Sequence, residues 1–160
     1  MDLAKRKQIR LKDFDYSQSN AFFITICTFN RKTLFGTVGA DSISARLIHD
    51  IFKRTIEQYP NVYCPKYVVM PNHFHAIVVM KRADMESAPT LSEVVQSFKR
   101  HSTIEYIKLV KGGVLPAFQK QIWQRSFYDH VVRNEQDYLE IWKYIDENPL
   151  KWQEDEMYEA

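Results

Sequence analysis

Apolar side chains along this chain switch between a spacing of two and a spacing near 3.6, and the switches mark its elements. Residues 21–29, AFFITICTF, are rich in aromatic and β-branched types and read as a first strand. Over 42–59, Ile43, Leu47, Ile48, Ile51 and Ile56 recur at helical spacing. Two aliphatic runs, 62–70 and 73–80, follow as strands joined by a tight turn at Pro71-Asn72. After a polar loop around 81–84, Thr90 stands as an N-cap with Glu93 three residues on, the pattern of a capping box. The helix it opens runs over 91–110 with Val94, Val95, Phe98, Ile104 and Ile107 inward, and Gly112-Gly113 stops it. A fourth strand is expected over 122–131, with 126–129 equally readable as loop, and a last helix from the cap Asn134 to just before Pro149.

The order β-α-β-β-α-β plus a helix predicts an α+β fold. It is the split βαβ (ferredoxin-like or RRM-like) arrangement: a four-stranded antiparallel sheet with helices on one face and a C-terminal helix beyond it. Such a sheet leaves its other face for a ligand, as in modules that bind single-stranded nucleic acid. No repeat or linker divides the chain, so one domain is expected over 1–160, with a basic arm at 1–20 and a short acidic tail at 153–160.

Composition narrows the class without naming a ligand. Of 160 residues 45% are hydrophobic, enough for a core of its own, and the net charge of +2 does not announce a nucleic-acid binder. Cys27 and Cys64 are the only cysteines, too far apart for a zinc knuckle or a disulfide framework, which fits a reducing compartment. No run reaches membrane-spanning length and no signal-peptide core follows the charged first residues, so a cytoplasmic protein without membrane contact is expected.

Candidate chemistry begins at the third strand, which opens His73-Phe74-His75. Alternation puts both imidazoles on one face and Phe74 on the other. One histidine at a strand end is ordinarily a satisfied polar group. Two on the same face are harder to bury unpaired, at about 1–3 kcal/mol for each unsatisfied group. At this spacing both rings can converge on a single cation. The remaining donors must come from elsewhere, because no third histidine follows and no helical His-Glu-x-x-His is present.

The last helix supplies a partner. Tyr138, Ile141, Trp142 and Ile145 share its apolar stripe; Gln136, Glu140, Lys143 and Glu147 lie opposite. Tyr144 falls on the flank, with Asn148 one turn further along the same flank. Taken alone, Tyr144 reads as an amphipathic residue closing the rim of the core. Tyr128 competes with it as a nucleophile on sequence grounds.

Four segments taken together, in this order, resemble the HUH single-tyrosine transposases, and within them the REP-associated tyrosine transposases. They are Met70-Pro71-Asn72-His73-Phe74-His75, Trp123-Gln124-Arg125-Ser126-Phe127-Tyr128-Asp129-His130, Arg133-Asn134-Glu135 and Tyr144-Ile145-Asp146-Glu147-Asn148-Pro149-Leu150-Lys151-Trp152. The resemblance implies that His73 and His75 are metal ligands, Tyr144 the nucleophile on the final helix, and Asn148 the third ligand. Several relatives carry Gln where this chain has the shorter Asn148. It also implies Mg²⁺ or Mn²⁺ as cofactor and, as substrate, single-stranded DNA beside a small imperfect hairpin, cut through a 5′-phosphotyrosine. Relatives work as monomers or as homodimers.

Basic residues that could meet DNA phosphate are Lys99, Arg100, Arg125 and Arg133, each equally readable as surface charge. Two other readings stay open beside the transposase. One is a non-catalytic module that binds hairpin or single-stranded nucleic acid on the same sheet; the other is a metal-dependent nuclease in which water attacks.

Overall fold

The computed structural model describes residues 20–36, 42–81 and 88–159; the basic arm and the residues after Lys81 in the polar loop fall largely outside them. The elements are β1 (Asn20–Cys27), α1 (Ile43–Glu57), β2 (Val62–Met70), β3 (His73–Met80), α2 (Leu91–Lys111), β4 (Tyr128–Val132) and α3 (Glu135–Glu147). Short 3₁₀ turns occupy Phe29–Arg31 and Trp152–Glu154. The four strands form one antiparallel sheet in the order β2-β3-β1-β4, as the split βαβ pattern requires.

Local chemistry explains where the helices begin. Ser42 caps α1 by accepting from the Ala45 amide. Thr90 and Glu93 close the reciprocal capping box on α2. Asn134 accepts from the Asp137 amide at the start of α3. Gly113, with φ of +74°, carries the chain out of α2 in a conformation that costs other residues more.

The two faces of the sheet are covered differently. On one, Ile24, Ile26, Phe74, Ala76 and Val78 pack against α1 and α2 through Ile48, Phe52, Val95 and Phe98. On the other, Ala21, Ile77, Val79 and Val132 meet Tyr138, Ile141 and Ile145 of α3. The Val, Ile and Phe side chains among them contribute about 1.5–3 kcal/mol each by leaving water. The second face is therefore not left open along its length: α3 lies across it, and only the end near His73 and His75 remains for a ligand. Because β3 is sandwiched, all its residues from His73 to Val79 are buried.

The fourth strand is shorter than the sequence predicts. Residues 122–127 make only an isolated bridge between Thr28 and Trp123 before β4 starts at Tyr128. The Lys99 ammonium takes the carbonyls of Gln124 and Ser126 at 2.8 and 3.0 Å, acceptors a ladder would otherwise use. No helix among the described residues is long and apolar enough to cross a membrane.

Candidate active site

Strand register builds the site. Cys27 pairs with His73, Thr25 with His75 and Phe23 with Ile77, so these side chains share the face that α3 covers. The turn residue Asn72 is itself buried and works on both sides. Its Nδ2 donates to the carbonyls of Arg31 and Met157, at 3.2 and 2.7 Å, which leaves Oδ1 to accept from His73 Nδ1 at 2.8 Å. His73 consequently carries its proton on Nδ1 and keeps a lone pair on Nε2. His75 Nδ1 lies 2.9 Å from Thr25 Oγ1.

The two outer nitrogens are left over. His73 Nε2 and His75 Nε2 are buried and have no hydrogen-bond partner within the described residues, and neither has Asn148 Oδ1. Asn148 caps the C-terminal end of α3 and is 4% exposed. Its Nδ2 reaches Asp155 Oδ2 at 3.4 Å, and that same oxygen stands 3.7 Å from His73 Nε2. Ligand atoms of His73, His75 and Asp155 all lie within 4.8 Å of one another. Two orphaned imidazole nitrogens beside a carboxylate, with an unpaired amide oxygen on the adjoining helix end, fit a cation better than they fit an empty core, since leaving them unpaired costs about 1–3 kcal/mol apiece.

Electrostatics agree with neutral, ligand-ready imidazoles. Burial pushes the His75 pKa down to about 3, with the neighbouring His73 ring adding to the fall. Burial also lowers His73, against the opposing pull of Asp155.

Tyr144 sits at the mouth of this cluster, 46% exposed. Its ring centroid is 5.4 Å from that of His75 and 5.9 Å from that of Phe23, which in turn stacks on His75 at 5.2 Å. Burial, Asp155 and Glu156 raise the phenol above its ordinary pKa, while the neighbouring Asn148 amide opposes them. The cavity beneath is lined by Phe23, Thr25, His75, Gln124, Tyr128 and Tyr144 among others. Tyr128, on β4 beside Thr25, thus faces the same space.

The structure brings together His73, His75, Tyr144 and Asn148 within one chain. It does not bring the four predicted basic residues to them as a group. Lys99 is 8% exposed with its ammonium committed to the two backbone carbonyls, so it cannot meet phosphate as the sequence reading expected. Arg133 follows β4 at the end where Val132 pairs with Ala21, away from the histidines. Arg100 and Arg125 are exposed near each other, lining one groove.

Sequence reasoning missed Asp155. It lies in the acidic tail, where nothing in the run Glu154-Asp155-Glu156 separates it from solvated neighbours. The tail instead folds back: Trp152 packs on His73 with ring centroids 5.9 Å apart, and Asn72 holds the Met157 carbonyl.

Comparison with known proteins places this geometry in context. An uncharacterized protein of Haemophilus influenzae is 29% identical, over 96% of this chain and 93% of its own length. A REP-associated tyrosine transposase of Escherichia coli K12 is 24% identical over 85% of this chain and 70% of that protein. In fold the chain is similar to a REP-associated tyrosine transposase whose structure was determined bound to a REP hairpin. The TM-score is 0.60 at 22% identity, covering 89% of this chain and 73% of that one. The model of the family described as "Transposase IS200 like" matches residues 16–148, most of the sequence. On that match, the chain belongs to the IS200-like transposase family.

Proposed function

We propose that this protein cleaves and rejoins single-stranded DNA beside a hairpin, with Tyr144 as the nucleophile. His73, His75, Asn148 and the tail residue Asp155 would hold Mg²⁺ or Mn²⁺. The observation that carries the reading is the phenol ring of Tyr144 set against His75, whose outer nitrogen and that of His73 are buried without a hydrogen-bond partner among the described residues. Recognition of a REP-like hairpin is supported by the likeness to the hairpin-bound relative.

The balance of the step is simple. Tyr144 Oη forms a bond to phosphorus while the bond from phosphorus to the 3′ oxygen breaks. The phenol proton leaves to solvent, and the departing 3′ oxygen ends as a 3′-OH. The product is a 5′-phosphotyrosine, which a 3′-OH can attack in reverse, so joining needs no ATP. The chain's own residues set the conditions. The amide of Asn148 beside the phenol favours its ionised form, while burial, Asp155 and Glu156 disfavour it. Phe23 packs edge-on against Tyr144 and holds the ring over the cavity. A bound divalent cation would neutralise this acidic surrounding, polarise the scissile phosphate and stabilise charge on the departing oxygen. A donor set with amide and carboxylate oxygen suits Mg²⁺ or Mn²⁺ more than the closed sites of structural zinc.

The test is a denaturing gel of protein incubated with end-labelled hairpin oligonucleotides and Mn²⁺. Wild type and Tyr128→Phe should give a covalent band that Tyr144→Phe loses while still binding the hairpin. An adduct of undiminished yield in Tyr144→Phe would exclude it as nucleophile. Cleaved product without adduct in wild type would instead mean that water attacks, and hairpin binding without either would mean a non-catalytic module.

A further inference from the structure

A groove adjoins the tyrosine–histidine cavity and meets it at Gln124, which lines both. Beyond it the walls are the 3₁₀ turn Phe29–Arg31, residues 118–125 and the outer face of α2. Arg31, Arg100, Lys120 and Arg125 line this groove and are exposed, and no Asp or Glu lines it among the described residues. In a chain whose net charge is only +2, four such cations along one path are a marked segregation. The opposite flank of Tyr144 is the reverse, lined by Glu147, Glu154, Asp155 and Glu156 with one lysine.

The groove has a floor as well as charge. Phe29, Phe118 and the exposed Ile104 present apolar surface between the cations, and Lys120 Nζ lies 5.7 Å from the centre of the Phe29 ring. Its walls are held in unusual backbone: Asn30, Arg31 and Lys120 all have φ between 54 and 60°. Arginine and lysine adopt this left-handed region only where their surroundings hold them there. Here Thr28 Oγ1 donates to the Lys32 carbonyl across the first turn, and Asn72 Nδ2 donates to the Arg31 carbonyl. The same Asn72 that fixes the His73 tautomer therefore also fixes the groove wall. From below, Lys99 holds the Gln124 carbonyl.

Cations spaced along an apolar floor match a backbone of phosphates with bases lying flat, the chemistry of a single strand rather than of a duplex. We propose that this groove carries the single-stranded DNA adjoining the bond to be cut, with Arg31 and Lys120 on its phosphates nearest the turn and Arg100 and Arg125 further along α2. The inference rests on the DNA-cleavage reading above and extends it to the path of the strand.

The experiment measures equilibrium binding by fluorescence anisotropy in EDTA, so that no adduct forms. The probes are a mixed-sequence single-stranded DNA oligonucleotide and a blunt-ended DNA hairpin, each titrated across a salt series. The double variant Arg31→Ala with Lys120→Ala should lose about tenfold or more in single-strand affinity. Its plot of log affinity against log salt should flatten by about 1.4, or 0.7 for each phosphate contact removed. Hairpin binding should stay at the wild-type level, and an unchanged melting temperature shows that the variant folds. Unaltered single-strand affinity and slope, or equal losses on both probes, overturn the groove. Groove-dependent binding in a protein that never forms an adduct overturns the cleavage reading alone.

Discussion

At His73 the preceding turn residue decides which ring nitrogen keeps a lone pair, because Asn72 Oδ1 takes the Nδ1 proton and both Asn72 amide hydrogens are already spent on carbonyls. In this way a residue outside the proposed donor set tunes one inside it. Asp155 is the residue whose role is most open to measurement. Its Oδ2 stands between Asn148 Nδ2 and His73 Nε2, where a cation would gain a hard oxygen. Mn²⁺ titrated calorimetrically into Asp155→Ala should bind at least about 10- to 100-fold more weakly than into wild type, the loss typical even of an outer partner. His73→Ala is the positive control for a lost donor. Wild-type affinity in Asp155→Ala would show that the carboxylate is a bystander. The histidine pair was legible in the sequence because alternation on a strand is a short-range rule. Asp155 was not, since its value comes from a chain reversal after α3 that no spacing records.

Among the elements, α3 shows how pattern and placement differ. Its stripe Tyr138, Ile141 and Ile145 is buried as the 3.6 period requires, and Tyr144 and Asn148 fall where the helical wheel puts them. The wheel is silent on which face of the sheet receives that stripe. Apolar residues on β1 and β3 make that choice, and Lys66 supports it by reaching Asp146 at 2.7 Å while lying over Trp142. The short β4 has the opposite lesson. Residues 122–127 have strand-like composition, yet Trp123 is drawn into the core beside Phe35 and Phe98, and Lys99 takes the neighbouring carbonyls. Lys99→Met should therefore act on stability rather than on DNA charge. It leaves two carbonyls without their charged donor, and the urea midpoint should fall by the equivalent of about 1–3 kcal/mol. The salt slope of single-strand binding should stay as in wild type. A shallower slope with unchanged stability would return Lys99 to the DNA surface.

For the whole molecule, the consequence is that one chain supplies every part of the proposed site. His73 and His75 on β3, Asn148 at the end of α3 and Tyr144 one turn before it meet without a second copy. Mixing Tyr144→Phe protein with the double variant His73→Ala, His75→Ala should accordingly yield no covalent adduct, because neither chain holds both halves. Adduct restored in the mixture would mean that α3 exchanges between subunits. Charge is also arranged at this scale. An acidic flank borders Tyr144 and a basic groove joins the same cavity at Gln124, although the balance over the chain is only +2.

Sequence alone determined the order of elements, the caps of the last two helices, the shared face of the two histidines and the offset of Tyr144 from the apolar stripe. All of these follow from backbone periods and side-chain chemistry acting over a few residues. Tertiary structure decided that α3 covers the histidine face, that the tail returns Asp155 to it, that Lys99 is spent inside, and that Arg31 and Lys120 border one groove. Each of those depends on contacts between residues far apart in the chain, where packing and charge pairing choose among placements that local pattern leaves equal.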